Sequence, residues 1–292
     1  MTQQLPKNFS FPGFVKLIRI QNLLIIVFTQ YLTALFLLEG IRVFNLELFL
    51  LSLSTVFLAA AGYIINDYYD VKIDYINKPE KVIVGKVIKR RVVLFWHSFL
   101  NFAAIIIGTF LDWKIGAIHF IAAFMLWLYS NQLKRLPLIG NLIVAALTGL
   151  SISIISLYFG QRPVLVHIYA LFAFAISLIR EIVKDMEDWK GDANFGCKTL
   201  PIIWGIRKTK LLLYVLISGF YFLIFYMTQF LENDILYFYF SGLTLFVIYF
   251  IHKLSLADTV KHYHFLSNFC KVIMLSGILS MLFFSEVLYS FF

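Results

Sequence analysis

Nine long apolar runs dominate the sequence and limit the folds that it can adopt. About 20 apolar residues in a helix cross the hydrocarbon core of a bilayer. Runs of about that length occupy residues 19–38, 45–65, 92–111, 115–133, 138–159, 164–183, 211–231, 235–252 and 270–291. A segment in lipid must satisfy its own backbone hydrogen bonds, as a helix does. The sequence therefore predicts an all-α integral membrane protein with nine transmembrane helices, organised as a single domain over residues 1–292.

The composition excludes an ordinary soluble domain. Hydrophobic residues make up 61% of the chain and charged residues 14%, whereas soluble domains are roughly 45–50% apolar and about 25% charged. The net charge of +9 does not indicate nucleic-acid binding, because the basic residues lie in short gaps between apolar runs, where they set membrane topology. Cys197 and Cys270 form no CxxC pair and predict no disulfide framework.

The distribution of basic residues predicts the orientation in the membrane. With the N-terminus inside, the N-terminal segment and alternate gaps hold 21 Lys and Arg residues, and the opposite gaps hold 3. Such an excess is typical of the cytoplasmic side. We therefore expect a multi-pass protein of the cell (inner) membrane, with the two longest gaps, 66–91 and 184–210, as cytoplasmic loops and the C-terminus outside.

Both predicted inner loops carry the pattern D-x-x-D-x-x-x-D. The six carboxylates are Asp67, Asp70 and Asp74 in the first loop, and Asp185, Asp188 and Asp192 in the second. Positions i, i+3 and i+7 share one helix face, where like charges repel. Mg²⁺ is the natural neutralising ion, since it binds one or two carboxylates together with substrate phosphates. Two clusters could hold two or more ions with a diphosphate bridging them, whereas the simpler interpretation is solvated carboxylates paired with lysines.

Basic residues near the two patterns are candidate phosphate ligands. Lys81 and Lys86 follow the first pattern, and Arg180 and Lys184 accompany the second. The Lys ammonium binds phosphate as a point charge, whereas the planar Arg guanidinium can donate two parallel hydrogen bonds to it. A third inner segment, 129–135, contains Tyr129 and Lys134. Its spacing alone favours an interfacial tyrosine followed by topology-setting cations.

Together these motifs resemble the UbiA superfamily of intramembrane prenyltransferases. That superfamily carries N-D-x-x-D-x-x-x-D, matched from Asn66 to Asp74, and a second D-x-x-x-D, matched by Asp188 and Asp192. The second motif precedes a glycine and Thr-Leu-Pro, here Gly196 and residues 199–201, and a Tyr-to-Lys motif resembles Tyr129 and Lys134. The resemblance implies nine transmembrane helices and Mg²⁺-dependent transfer of a prenyl group from a polyprenyl diphosphate.

The resemblance also implies roles for the site residues. Metal ligands would be Asn66, Asp67, Asp70, Asp74, Asp185, Asp188 and Asp192, with Asp67 and Asp185 binding directly or orienting the others. Lys134, Arg180 and Lys184 would hold phosphate oxygens. The Tyr129 ring would stabilise the allylic cation that forms when the donor carbon–oxygen bond breaks.

The molecule that accepts the prenyl group is a separate question. The stretch 70–79 resembles a form found in digeranylgeranylglyceryl phosphate synthases and in chlorophyll synthases, and the stretches 138–145 and 180–188 look closer to the former. This resemblance predicts geranylgeranylglyceryl phosphate as acceptor and lysines 81 and 86 as ligands of its phosphate. Where those relatives continue R-P-I-P-S-G, this chain has K-V-I-V-G-K at 81–86. An aromatic quinone precursor or a tetrapyrrole therefore stays open as acceptor. A cation transporter is the non-enzyme alternative, although its carboxylates would be expected near the membrane midplane.

Overall fold

The computed structural model describes residues 9–161, 164–228 and 234–284, which are mostly helical and contain no strand. Within these residues, a short helix precedes nine helices that are long and apolar enough to cross a membrane. The ten helices are α1 Phe11–Leu17, α2 Ile20–Leu37, α3 Leu46–Asn77, α4 Arg90–Leu111, α5 Trp113–Asn131, α6 Ile139–Phe159, α7 Val164–Asn194, α8 Leu200–Thr228, α9 Asp234–Ser255 and α10 Val260–Leu279. The nine-helix, all-α prediction is confirmed, and parts of the predicted runs at 229–231 and 285–291 lie outside the described residues.

The prediction that the acidic patterns lie in loops is wrong. α3 has 32 residues and α7 has 31, so each is about 46–48 Å long at 1.5 Å per residue, against roughly 30 Å for the hydrocarbon core. Both helices continue beyond the apolar run, and the acidic patterns form their last turns. Hydropathy locates the lipid boundary, whereas the backbone hydrogen bonds of a helix persist beyond it.

Both long helices end soon after their acidic residues. The Lys78 N–H caps α3 by donating to the Asp74 carbonyl, and Pro79 follows, which cannot continue a helix. Gly196 adopts a left-handed φ of 70° after α7, and the Cys197 N–H donates to the Asp192 carbonyl over 3.0 Å. This is how helices commonly end at a glycine, and it leaves 78–89 and 195–199 as the loops that follow α3 and α7.

The described chain divides into two compact units. The first contains residues 9–31, 42–135 and 190–197, and the second contains the remainder. The first unit packs around buried residues of α3 and α4, and Val84 and Ile88 of the 78–89 loop join that core. The second packs around α7, whose Ile182 and Met186 are fully buried against α8, α9 and α10 residues. The single-domain assignment stays a prediction.

Candidate active site

In the first unit, the acidic turns of α3 meet two cations from distant segments. The Arg19 Nη2 atom lies 2.8 Å from Asp67 Oδ1, and the Arg19 guanidinium also lies 4.9 Å from the centre of the Tyr63 ring. Arg19 has φ = 53° in the link between α1 and α2, a left-handed conformation that is uncommon for a residue with a side chain. This arginine, which the sequence identified only as a topology signal, is therefore part of the acidic site.

Lys134 is the second cation. It lies in a short 3₁₀ helix, Leu133–Arg135, directly after α5. Its ammonium forms an ion pair with Asp70 and lies 3.5 Å from Asn66 Oδ1, and the side chains of Lys134 and Asp70 are only 10% and 16% exposed. An amide oxygen and a carboxylate oxygen thus converge on one cation, and three of the predicted site residues lie together.

The last turn of α7 completes this unit. The Gly191 N–H donates to Asn77 Oδ1 over 2.9 Å, which places the residue before Asp192 against the end of α3. Cys197, just after this turn, is buried, and burial together with the nearby Asp192 carboxylate raises the pKa of its thiol to about 11. The thiol therefore stays protonated at neutral pH.

In the second unit, the buried Glu181 organises the predicted phosphate ligands of α7. The Arg180 Nη1 atom lies 2.7 Å from Glu181 Oε1, and the Lys184 Nζ atom lies 3.0 Å from Glu181 Oε2. One turn further along, the Asn141 amide donates to Asp185 Oδ2 over 2.9 Å. Arg180, Lys184 and Asp185 are therefore each oriented by a neighbour, because a buried charge requires compensating hydrogen bonds.

Glu187 lies between two motif aspartates in sequence but projects to a different face of α7. Its side chain is buried and lies 2.9 Å from His264 Nδ1, while the Ser267 hydroxyl donates to its other oxygen over 3.3 Å. Both partners lie on α10. Glu187 therefore joins α7 to α10 and fixes the rotation of the helix that carries Asp185 and Asp188.

Three other predicted site residues lie in the loop after α3 and near the end of α5. Lys81 and Lys86 are exposed in the 78–89 loop, and the Lys86 ammonium donates to the Pro79 carbonyl over 3.3 Å. Tyr129 is half-buried near the end of α5, five residues before Lys134.

The oxygen donors of the site fit a magnesium ion. Within the residues that the structure describes, no group of three or more His, Cys, Asp or Glu side chains is arranged to hold a metal. Mg²⁺ does not require one, since it usually takes one or two carboxylates and completes its shell with water and substrate phosphate. The convergence of Asn66 and Asp70 oxygens on the Lys134 cation shows that this point of the site favours positive charge.

Sequence reasoning missed the partners that orient the site. Asn77, Asn141 and Glu181 had no assigned role, and Arg19 was counted only as a topology signal. Asn77 and Asn141 lie inside the stretches that resemble the prenyltransferases, so membership of those stretches was the only available signal. Glu181 lies inside the 180–188 stretch as well, whereas the sequence carried no comparable signal for Arg19.

A sequence profile of the UbiA prenyltransferase family matches residues 26–270. This chain belongs to that family. A relative from Pyrococcus horikoshii named digeranylgeranylglyceryl phosphate synthase is 35% identical over 200 residues, which cover 68% of this chain and 72% of the relative. A solved structure concerned with digeranylgeranylglyceryl phosphate synthase in membranes is 26% identical, covers 92% of this chain and 96% of the other, and superposes with a TM-score of 0.66.

The fold likeness extends to more distant relatives. A UbiA homologue from Archaeoglobus fulgidus, solved with GPP and Mg²⁺, is 15% identical, has a TM-score of 0.67, and the match covers 91% of this chain and 98% of that one. At this identity the likeness shows the fold alone. Family membership confirms that the chain is a multi-pass membrane prenyltransferase, and the cation-transporter alternative is not supported.

Proposed function

We propose that this prenyltransferase transfers a geranylgeranyl group from its diphosphate to geranylgeranylglyceryl phosphate, in the presence of Mg²⁺. The observation that carries the proposal is the convergence of Asn66, Asp70 and Lys134 at the end of α3. The relatives named digeranylgeranylglyceryl phosphate synthase support the acceptor, and the A. fulgidus homologue solved with GPP and Mg²⁺ supports the donor and the ion.

Both acidic patterns supply the metal ligands in this proposal. The ligands are Asn66, Asp67, Asp70, Asp74, Asp185, Asp188 and Asp192. Bound Mg²⁺ would neutralise the negative charge of the diphosphate and so make it a better leaving group. Arg19 and Asn141 orient the carboxylates of Asp67 and Asp185, and partners of this kind tune metal affinity.

The protein side chains then position and stabilise the reacting groups. Lys134, Arg180 and Lys184 donate to phosphate oxygens, and Glu181 holds the latter two in place. The donor carbon–oxygen bond breaks, the diphosphate leaves with the electron pair, and the Tyr129 ring stabilises the allylic cation. A hydroxyl oxygen of the acceptor attacks that carbon, an ether bond forms, and the hydroxyl proton is released.

An acceptor assay tests the proposal. Labelled geranylgeranyl diphosphate should be transferred to geranylgeranylglyceryl phosphate by the protein in membranes or detergent. An aromatic carboxylic acid and a tetrapyrrole acid, offered at the same concentration, should accept little. Prenylation of the aromatic acid with no transfer to the glyceryl phosphate would overturn the acceptor while leaving the family assignment intact.

Substitution of the lysines in the 78–89 loop should raise the KM for the acceptor more than the KM for the donor. The acceptor phosphate adds negative charge to an acidic site, and an unpaired phosphate in a partly desolvated site is costly. Lys81→Ala and Lys86→Ala should each raise the acceptor KM roughly three- to five-fold, since exposed charge pairs contribute up to about 1 kcal/mol, with little change in the donor KM. Lys89→Ala, an exposed lysine at the end of the same loop, is the matched control. Equal effects on both KM values would argue against this role.

We also place the ends of α3 and α7 that carry the acidic patterns on the cytoplasmic side. The excess of basic residues on that side of the predicted helices supports this orientation. A periplasmic alkaline phosphatase fused after Phe292 should be active, and a fluorescent protein fused there should stay dark. An inactive phosphatase together with a fluorescent fusion would place the C-terminus in the cytoplasm. That result would exclude an odd number of spans with the N-terminus inside.

A further inference from the structure

The last turns of α3 and α7 contact each other through a hydrogen bond between a glycine and an asparagine. The Gly191 N–H donates to Asn77 Oδ1 over 2.9 Å, across 114 residues of sequence. Gly191 is buried and Asn77 is half-buried, and both belong to the first unit. The contact therefore joins the end of one acidic helix to the end of the other within this unit.

The contact lies next to two predicted metal ligands. Asn77 follows Asp70 by seven residues and Asp74 by three, so the three side chains share one face of α3. Gly191 immediately precedes Asp192 in α7. The hydrogen bond thus determines how closely the turn that carries Asp192 approaches the acidic face of α3.

Close approach explains why a glycine occupies position 191. A Cβ atom added there would lie 2.6 Å from both Cγ and Oδ1 of Asn77, so a larger residue must displace the asparagine side chain and break the hydrogen bond. Helix stability does not explain the glycine, because glycine in a helix is less stable than alanine by roughly 0.5–1 kcal/mol. The contact itself requires it.

We propose that Asn77 and Gly191 are positioning residues that hold Asp74 and Asp192 at the separation required for Mg²⁺ binding. This inference rests on the proposed function, in which those two aspartates bind the metal. Residues that orient metal ligands commonly contribute 10–100-fold to metal affinity. Without them the ligands are mobile, and metal binding must order them at an entropic cost.

Manganese binding tests the proposal without requiring turnover. Free Mn²⁺ is measured by electron paramagnetic resonance with the full chain in detergent micelles, and Mg²⁺ is titrated in the prenyl-transfer assay. Gly191→Ala and Asn77→Ala should each lower Mn²⁺ affinity by about ten-fold or more and raise the Mg²⁺ concentration for half-maximal activity in parallel. Asn77→Asp keeps an acceptor oxygen for the Gly191 N–H and should retain most of the affinity.

A matched glycine separates positioning from folding. Gly219 lies inside α8, and an added Cβ there meets no atom within 4 Å, so Gly219→Ala makes the same helix substitution without a clash. Gly219→Ala should melt at or above the wild-type temperature, since alanine favours the helix. Gly191→Ala should melt close to the wild-type temperature, because the same gain offsets the lost hydrogen bond, and only Gly191→Ala should lose metal affinity. Loss of metal affinity with an unchanged melting temperature is a result that a merely structural role would not produce.

The outcomes that contradict the inference are distinct from those that contradict the proposed function. If Asp192→Ala lowers Mn²⁺ affinity while Gly191→Ala and Asn77→Ala bind like wild type, the positioning role is wrong and the metal site stands. If Asp74→Ala and Asp192→Ala also bind like wild type, the metal site is wrong as well, and the positioning role is rejected with it.

Discussion

Asp70→Ala and Asp188→Ala should each reduce prenyl transfer by about a thousand-fold. Loss of a metal ligand leaves charge on the departing diphosphate unscreened, which costs about 4 kcal/mol of transition-state stabilisation, and each 1.36 kcal/mol changes the rate about ten-fold. Asp70→Ala also removes the carboxylate that pairs with Lys134, so the ammonium loses its fixed position. The rate constant for transfer at saturating donor and acceptor is the quantity to measure.

Two controls distinguish this effect from a loss of folding. Glu80→Ala removes an exposed carboxylate from the loop that follows α3 and should leave the rate within about two-fold, as expected for a surface substitution. The melting temperature of each variant in detergent should show that the helices remain assembled. A rate for Asp70→Ala or Asp188→Ala close to that of Glu80→Ala would exclude the carboxylate as a ligand.

Removal of divalent metal should abolish activity. Carboxylates repel an anionic diphosphate unless cations neutralise it, and Arg19, Lys134 and Lys184 already pair with acidic side chains. In excess chelator we expect transfer below about 1% of the rate with Mg²⁺, because several kcal/mol of charge stabilisation is lost. Addition of Mg²⁺ or Mn²⁺ beyond the chelator should restore it, since both ions prefer oxygen ligands.

The reversibility of this loss is the essential comparison. Activity that returns after metal addition shows that the chelator removed an ion and did not unfold the protein. A rate in excess chelator equal to that with Mg²⁺ would rule out the metal-assisted mechanism, whatever the acceptor.

The features that were predictable from the amino-acid sequence are local ones. Nine apolar runs predicted nine helices because lipid forces each run to satisfy its own backbone hydrogen bonds. The spacing of Asp67, Asp70 and Asp74 predicted a shared helix face, since the periodicity of a helix depends only on neighbours along the chain. For this reason the two matched acidic patterns are recognisable from the sequence alone, although the helices that carry them extend further than the apolar runs indicate.

The partners of those carboxylates were decided by tertiary structure. Arg19 meets Asp67 across 48 residues, Lys134 meets Asp70 across 64, and Gly191 meets Asn77 across 114. Nothing in the local pattern around Arg19 or Gly191 marks them as site residues. Their roles arise only when helix packing brings distant segments within hydrogen-bonding distance, because a hydrogen bond depends on the separation and angle of two groups in space and not on their separation in sequence.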